Sequence, residues 1–173
     1  MSKIASSVLL LSLAFLTACK TMSDSWSDWE GIPYHEALLQ WDAPAHSDLL
    51  ARKISYNGSY QEQWSWPTGG IFLAKAGHGY YYREVPGPRE FGEVMSDWRM
   101  FETSAIAIKE DEVEEIENKY GKFLFVDVKN DEGEDCWLFL QGDSRGLFSG
   151  YECGATRKNR EELLQFAQNY RVK

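Results

Sequence analysis

Histidine is scarce in this chain, which has three in 173 residues, and each stands apart from the others: His35, His46 and His78. Metal binding and acid–base catalysis by histidine require several such side chains to converge. His35 precedes a glutamate but has no second histidine four residues on, as zinc-protease helices require. We therefore predict three surface histidines, no metal site and no cofactor.

Basic residues are also in the minority, with 18 Lys and Arg against 27 Asp and Glu and a net charge of −9. Nucleic acids and anionic lipid surfaces are bound through clustered cations. The charge balance therefore argues against both as charge-driven partners. The same acidity would steer a basic protein to the chain, although solubility alone also explains it.

A membrane-spanning length of apolar residues is missing near the N-terminus. The apolar run at residues 4–15 is shorter than the roughly 20 residues that a transmembrane helix needs, and it follows Lys3 as in an export signal. It ends in Leu16-Thr17-Ala18-Cys19, which resembles the lipobox of bacterial lipoproteins. The resemblance implies cleavage before Cys19 and acylation of that cysteine, whereas cleavage after Ala18 in an ordinary signal peptide is the alternative.

Lys20 follows the lipobox cysteine, at a position where lipoproteins retained in the inner membrane usually carry aspartate. The resemblance therefore implies an outer-membrane lipoprotein that faces the periplasm, with residues 1–18 as signal peptide and 19–30 as lipid anchor and short tether. Several acyl chains anchor a protein stably without a transmembrane helix. Residues 31–173 are then predicted to form one globular domain, long enough to bury its own core.

Cysteine is rare as well, with three in the chain, and lipidation of Cys19 leaves one pair. In an oxidising, exported compartment such a pair is expected to form a disulfide, and two free buried cysteines are the alternative. The stretch from Cys136 to Cys153 has aromatic-rich runs on both sides of a turn at Ser144 and Arg145. This pattern predicts a β-hairpin that places the two cysteines opposite each other.

The same register assigns the other side chains of the first hairpin strand. Leu138 and Leu140 share a face with the cysteines, whereas Trp137 and Phe139 point to the opposite face. Because both faces are apolar, the strand is predicted to lie inside a sheet that is covered on both sides.

A helix is predicted on each side of this hairpin. A capping-box pattern begins at Asp111 and Gly121 suits a helix C-terminus, which together predict a helix over about 111–120. Asn159 is expected to cap a final helix over about 159–171. With the strands between them, these elements predict an α+β domain built on an antiparallel sheet.

Elsewhere, the spacing of apolar residues predicts a helix over residues 34–41 and strands over 59–66 and 100–108. The second half of the chain is similar to a group of exported proteobacterial proteins that have a paired-cysteine hairpin and a closing helix. The similarity brings no function with it and rests on five positions: Cys136, Phe139, Gly150, Tyr151 and Cys153.

Two segments carry candidate chemistry. Residues 142–146 match the Gly-x-Ser-x-Gly pattern of hydrolases, with Ser144 as nucleophile, but that motif needs a following helix and a strand is predicted there. The glycines suit a hairpin turn equally well. A set of strand aromatics forms either a stacking surface for glycan rings such as peptidoglycan or part of the core: Trp64, Trp66, Tyr80, Tyr81 and Tyr82.

These features favour a lipid-anchored envelope protein without catalytic residues, which binds another envelope component such as a basic hydrolase or peptidoglycan. The alternative is a small envelope hydrolase that uses Ser144 or one of the histidines.

Overall fold

The computed structural model describes residues 29–42, 48–56, 58–77, 86–143 and 146–173. They belong to two compact units, Met1–Glu30 and Gly31–Lys173, and Trp29 and Glu30 are the residues of the first unit that are described. Within these described ranges, no helix has the length and apolar character that crossing a membrane requires.

Antiparallel β-structure dominates the described chain. The strands are β1 (Glu30–Gly31), β2 (Leu39–Gln40), β3 (Leu50–Tyr56), β4 (Ser59–Trp66), β5 (Gly69–Lys75), β6 (Glu114–Asn118), β7 (Gly121–Lys129), β8 (Asp135–Asp143), β9 (Gly146–Cys153) and β10 (Arg171–Val172). Eight of them form one sheet in the order β1-β3-β4-β5-β9-β8-β7-β6, and β2 pairs with β10 in a second, small sheet. The strand predicted over 59–66 is β4.

In the described part of the chain, two α-helices and several 3-10 turns complete the fold. Helix α1 is Phe91–Met95 and helix α2 is Arg160–Asn169. The 3-10 turns are Tyr34–Glu36, Arg99–Phe101, Ala105–Ala107 and Glu110–Glu112. The antiparallel sheet with its C-terminal helix confirms the α+β class that the sequence predicts.

The disulfide-linked hairpin of β8 and β9 is present in the predicted register. Cys136 is paired with Cys153 across the two strands, the two Cα atoms are 4.1 Å apart, and the sulfurs are bonded. The hairpin therefore has its covalent link at the open end, away from the turn.

The large sheet is covered on both faces, as the two apolar faces of β8 predict. Trp137 and Phe139 lie in a core that contains Leu163 and Ala167 of α2. Leu138 and Leu140 lie, with the cysteines, in a second core formed with α1 and the 3-10 turns that follow it. Because alternate residues of a strand point to opposite faces, β8 contributes to both cores at once.

The helix predicted over 111–120 is wrong, because this segment is the edge strand β6, preceded by the 3-10 turn Glu110–Glu112. A two-residue turn at 119–120 connects β6 to β7, and Gly121 has φ +102°, so the glycine serves a tight hairpin and not a helix end. Ile116 alternates with exposed glutamates and packs on the core, which is strand periodicity. Pairing with β7 overrides the local helix signals.

Two other local predictions are also wrong. Residues 34–41 form a single 3-10 turn and the short strand β2, and residues 100–108 form two 3-10 turns.

By contrast, α2 begins as predicted: the Asn159 side chain accepts a hydrogen bond from the Glu162 N–H at 3.0 Å, and the Asn159 N–H donates to the Glu162 carboxylate at 2.8 Å. This reciprocal capping box satisfies two donors at the start of the helix.

Candidate functional site

Several residues singled out in the sequence lie outside the described ranges. They are the lipobox cysteine, two histidines, three tyrosines and the serine of the hairpin turn: Cys19, His46, His78, Tyr80, Tyr81, Tyr82 and Ser144.

Trp64 and Trp66 belong to the core. Their side chains are 1% and 6% exposed, and their rings pack on the Trp41 ring with centroids 6.2 Å and 5.4 Å apart. As the chain is folded, neither tryptophan presents a ring face to a glycan. These two aromatics therefore take the packing role that the sequence left open as the alternative.

His35 is exposed on the 3-10 turn Tyr34–Glu36, and its Nε2 lies 3.7 Å from the neighbouring Glu36 carboxylate. Among the described residues, no group of three or more His, Cys, Asp or Glu side chains is placed to hold a metal ion. His35 is thus brought together with one glutamate and with no second histidine in the described part of the chain.

A buried carboxylate that the sequence analysis missed lies on β4. Glu62 is 0% exposed and accepts hydrogen bonds from the backbone N–H of Leu38 at 3.0 Å and of Leu39 at 3.2 Å. The Trp64 Nε1–H also donates to it at 3.2 Å. Burial raises the pKa of Glu62, and the two backbone hydrogen bonds act in the opposite direction. In the sequence, Glu62 lies on the same strand face as Tyr60 and Trp64. Its burial depends on the segment containing Leu38 and Leu39, which covers it.

Tyr60 lies two residues before Glu62 and shares its environment. Its hydroxyl is 3.5 Å from the Glu62 carboxylate. Burial, with the nearby carboxylate charge as a smaller cause, raises the pKa of Tyr60 to about 12. Glu62 holds Leu38 and the first residue of β2, Leu39, against β4, and Tyr60 contacts Glu62, so we assign both groups a structural role.

A concave surface of about 480 Å³ lies beside helix α2, and we call it the α2 groove. The described residues that line it come from four parts of the chain: the end of the β2 segment, the β4–β5 turn, the stretch from β9 to α2, and α2 itself. The residues that matter for its chemistry are Trp41, Asp42, Thr68, Glu152, Thr156, Lys158, Glu162, Gln165, Phe166, Asn169 and Tyr170.

An ion pair with little exposure lies in the α2 groove. The Lys158 ammonium is 3.0 Å from Glu152 Oε2 and 3.2 Å from Oε1, and the Lys158 backbone N–H donates to the same carboxylate at 3.1 Å. The Trp137 Nε1–H fixes this backbone by donating to the Lys158 carbonyl at 2.7 Å. The two charges therefore neutralise each other within a rigid segment.

Aromatic rings flank this ion pair. The Lys158 ammonium is 5.8 Å from the ring centroids of both Trp41 and Phe166, and those two rings meet edge to face at 5.8 Å. Such cation–ring distances contribute about 0.5–2 kcal/mol each, depending on desolvation.

Trp41 is held in place through its backbone while its indole nitrogen has no partner. The Tyr34 hydroxyl donates to the Trp41 carbonyl and accepts from the Trp41 N–H at 3.0 Å. Trp41 is 6% exposed, and its Nε1 makes no hydrogen bond to the described residues. A buried N–H without an acceptor costs about 1–3 kcal/mol.

Helix α2 supplies one face to the groove, with residues at helical spacing: Glu162, Gln165, Phe166 and Asn169. This spacing is visible in the sequence. Opposite this face, Trp41 and Asp42 are more than 100 positions away along the chain, so no local pattern identifies the groove.

No protein-family model matches the chain, and no curated protein is significantly similar to it.

Proposed function

We propose that this chain is an exported, lipid-anchored protein of the bacterial cell envelope, whose folded unit binds another envelope component without catalysing a reaction. The observation that carries the binding role is the α2 groove. Its charged pair, Lys158 and Glu152, is bound internally, and the polar side chains around it are spread along a concave surface with aromatic rings. A recognition surface requires such a distribution.

The disulfide supports the exported location. Cys136 and Cys153 are bonded and are 0% and 1% exposed, so the link serves stability and is shielded from exchange with external thiols. Stable disulfides of this kind persist in oxidising compartments such as the periplasm.

The membrane attachment rests on the resemblance of Leu16-Thr17-Ala18-Cys19 to a lipobox. With Lys20 after the cysteine, the protein is assigned to the outer membrane, facing the periplasm. Residues 19–30 are then a short tether, which keeps the binding surface close to its membrane.

Metabolic labelling tests the anchor. Cells that express the full chain are fed an alkyne fatty acid, and the purified protein is coupled to a fluorophore. The wild-type chain is expected to be labelled and to enter the detergent phase, and Cys19→Ser is expected to abolish both. The matched control is the double variant Cys136→Ser, Cys153→Ser, which keeps the lipobox. Equal labelling of Cys19→Ser would rule out the proposed anchor.

Capture from envelope extract tests the binding role. The full chain is compared with a groove variant, Gln165→Ala with Asn169→Ala, and with Gln168→Ala on the same helix, where the side chain contacts the Glu117 carbonyl instead of the groove. A component enriched by the wild type and by Gln168→Ala, and lost with the groove variant, supports the role. Equal recovery with all three proteins contradicts it.

A further inference from the structure

We infer that the α2 groove binds an uncharged saccharide of one or two sugar rings. This inference rests on the proposed binding function and names the ligand class for the same site. It depends on the charge of the groove, on the hydrogen-bonding groups that are left without partners, and on the aromatic surface beside them.

The charge of the groove excludes an anionic ligand. Lys158, the one cationic side chain among the described lining residues, is neutralised by Glu152 at 3.0 Å. The Glu162 carboxylate is occupied by the Asn159 N–H at 2.8 Å. Asp42 is exposed and adds a further negative charge. A phosphate or carboxylate would therefore meet net repulsion, and no second cation among the lining residues that the structure describes offsets it.

Hydrogen-bonding groups with no partner in the described part of the chain line the same surface. They are the side chains of Asp42, Thr68, Thr156, Gln165 and Asn169. Carboxylate and amide groups each present two hydrogen-bonding atoms in a plane, and hydroxyls both donate and accept. Adjacent ring hydroxyls of a sugar likewise present donors and acceptors in pairs. An apolar ligand would remove water from these groups without replacing its hydrogen bonds, and each unpaired group would then weaken binding.

The indole of Trp41 borders the groove and reports on its occupancy. It lies in the groove lining and is more than nine-tenths buried, and its Nε1 atom has almost no accessible surface and no acceptor among the described residues. A ligand in the groove therefore reaches the accessible part of the Trp41 ring and not its N–H.

The aromatic part of the groove suits the apolar face of a sugar ring. Phe166 is half-buried, so part of its ring remains accessible, and its edge-to-face contact with Trp41 fixes its orientation. The volume of about 480 Å³ lies within the range of small-ligand sites, about 300–1,000 Å³. Aromatic surface beside planar polar groups favours a sugar over a flexible basic peptide, because Asp42 is the one described lining carboxylate that is free of internal bonds.

Tryptophan-selective NMR tests the inference on the full chain in detergent micelles with the disulfide formed. The chain has seven tryptophans, and their indole N–H signals are assigned and followed during titration with N-acetylglucosamine, its β-1,4-linked dimer, and tetralysine. We expect the sugars to shift the Trp41 indole signal in a saturable manner. The Trp64 indole, which already donates to Glu62 at 3.2 Å, is the internal reference and should not shift.

A matched pair of variants locates the binding. Gln165→Ala with Asn169→Ala removes two ligand hydrogen bonds and is expected to raise the sugar Kd about tenfold. Gln168→Ala should leave that Kd unchanged. Both variants should keep the wild-type Tm, because the substituted residues are exposed on α2.

Three results would overturn the inference. They are no saturable shift with either sugar, a shift with tetralysine alone, and an unchanged sugar Kd in the groove variant. None of them bears on lipid attachment, which the labelling of Cys19 tests separately, so the anchor and the ligand class can fail independently.

Discussion

Glu62 offers the sharpest test of how this fold is held together. Replacing it by leucine leaves three buried donors without their charged acceptor: the N–H groups of Leu38 and Leu39 and the indole of Trp64. Hydrogen bonds to a charged group contribute about 1.5–3 kcal/mol each. Removing the buried charge itself returns part of that loss. We therefore expect Glu62→Leu to lower the free energy of unfolding by about 3–5 kcal/mol.

Glu62→Gln separates the charge from the shape. The amide oxygen can still accept from Leu38 and Leu39, but its NH₂ group then faces another donor, the Trp64 indole. We expect a loss of about 1–3 kcal/mol. Urea unfolding, followed by tryptophan fluorescence and circular dichroism, measures both variants. The control is Glu117→Gln on the exposed edge strand β6, which should change stability by less than about 0.5 kcal/mol.

The pH dependence of the wild type follows from the direction of the same pKa. Because burial raises the pKa of Glu62 above its ordinary value of 4.5, the folded chain takes up this proton at a higher pH than the unfolded chain. The resulting stabilisation is fully present below about pH 4.5 and is lost as the pH rises through the folded pKa. Glu62→Gln should remove this part of the pH dependence. A loss below about 1 kcal/mol for Glu62→Leu, or an unchanged pH slope for Glu62→Gln, would refute the reasoning.

Three further changes probe other parts of the structure. The double variant Cys136→Ser, Cys153→Ser opens a loop with a sequence separation of 17 and should cost about 3 kcal/mol in urea unfolding. Gly150→Ala would place its methyl 2.5 Å from a ring carbon of Phe139 and should lower Tm through a loss of about 1–3 kcal/mol. Lys158→Met leaves the groove carboxylate without its ion pair and should cost about 2–3 kcal/mol in urea unfolding.

Each of these changes has its own control. Reduction of the wild type with dithiothreitol in urea should reproduce the double cysteine variant, and resistance of the reduced protein would contradict the stabilising role. Gly31→Ala, whose methyl meets nothing within 4 Å, should leave Tm within a degree or two of wild type. Arg160→Ala breaks an exposed ion pair with Glu114 and should cost about 0–1 kcal/mol. A loss as large as that of Lys158→Met would show that burial does not distinguish the two pairs.

The local sequence pattern predicted β8 and α2, because there the local signals agree with the tertiary contacts. The paired cysteines and the alternating apolar residues of β8 specify a register, because a slip of one residue would exchange every side chain between the two faces. Asn159 and the apolar stripe after it specify α2, because the cap and the buried side of the helix require the same segment.

Local pattern failed at residues 111–120, where it predicts a helix and the chain forms β6. The acidic first turn and Gly121 satisfy helix rules as well as hairpin rules, and the neighbouring strand β7 decides between them by offering backbone partners. Local pattern also failed at residues 100–108, where it predicts a strand. The apolar side chain of Phe101 is buried in the second core without strand pairing.

The amino-acid sequence thus determined the disulfide pair, the two-faced strand beside it and the closing helix, because the information for each lies within a short stretch of chain. Tertiary structure alone decided the depth of Glu62 and the meeting of Trp41 with Lys158 and α2. Both features depend on contacts between segments that are far apart in sequence. Burial changes the pKa of Glu62 and leaves the Trp41 indole without an acceptor, and this burial exists only after those segments have packed.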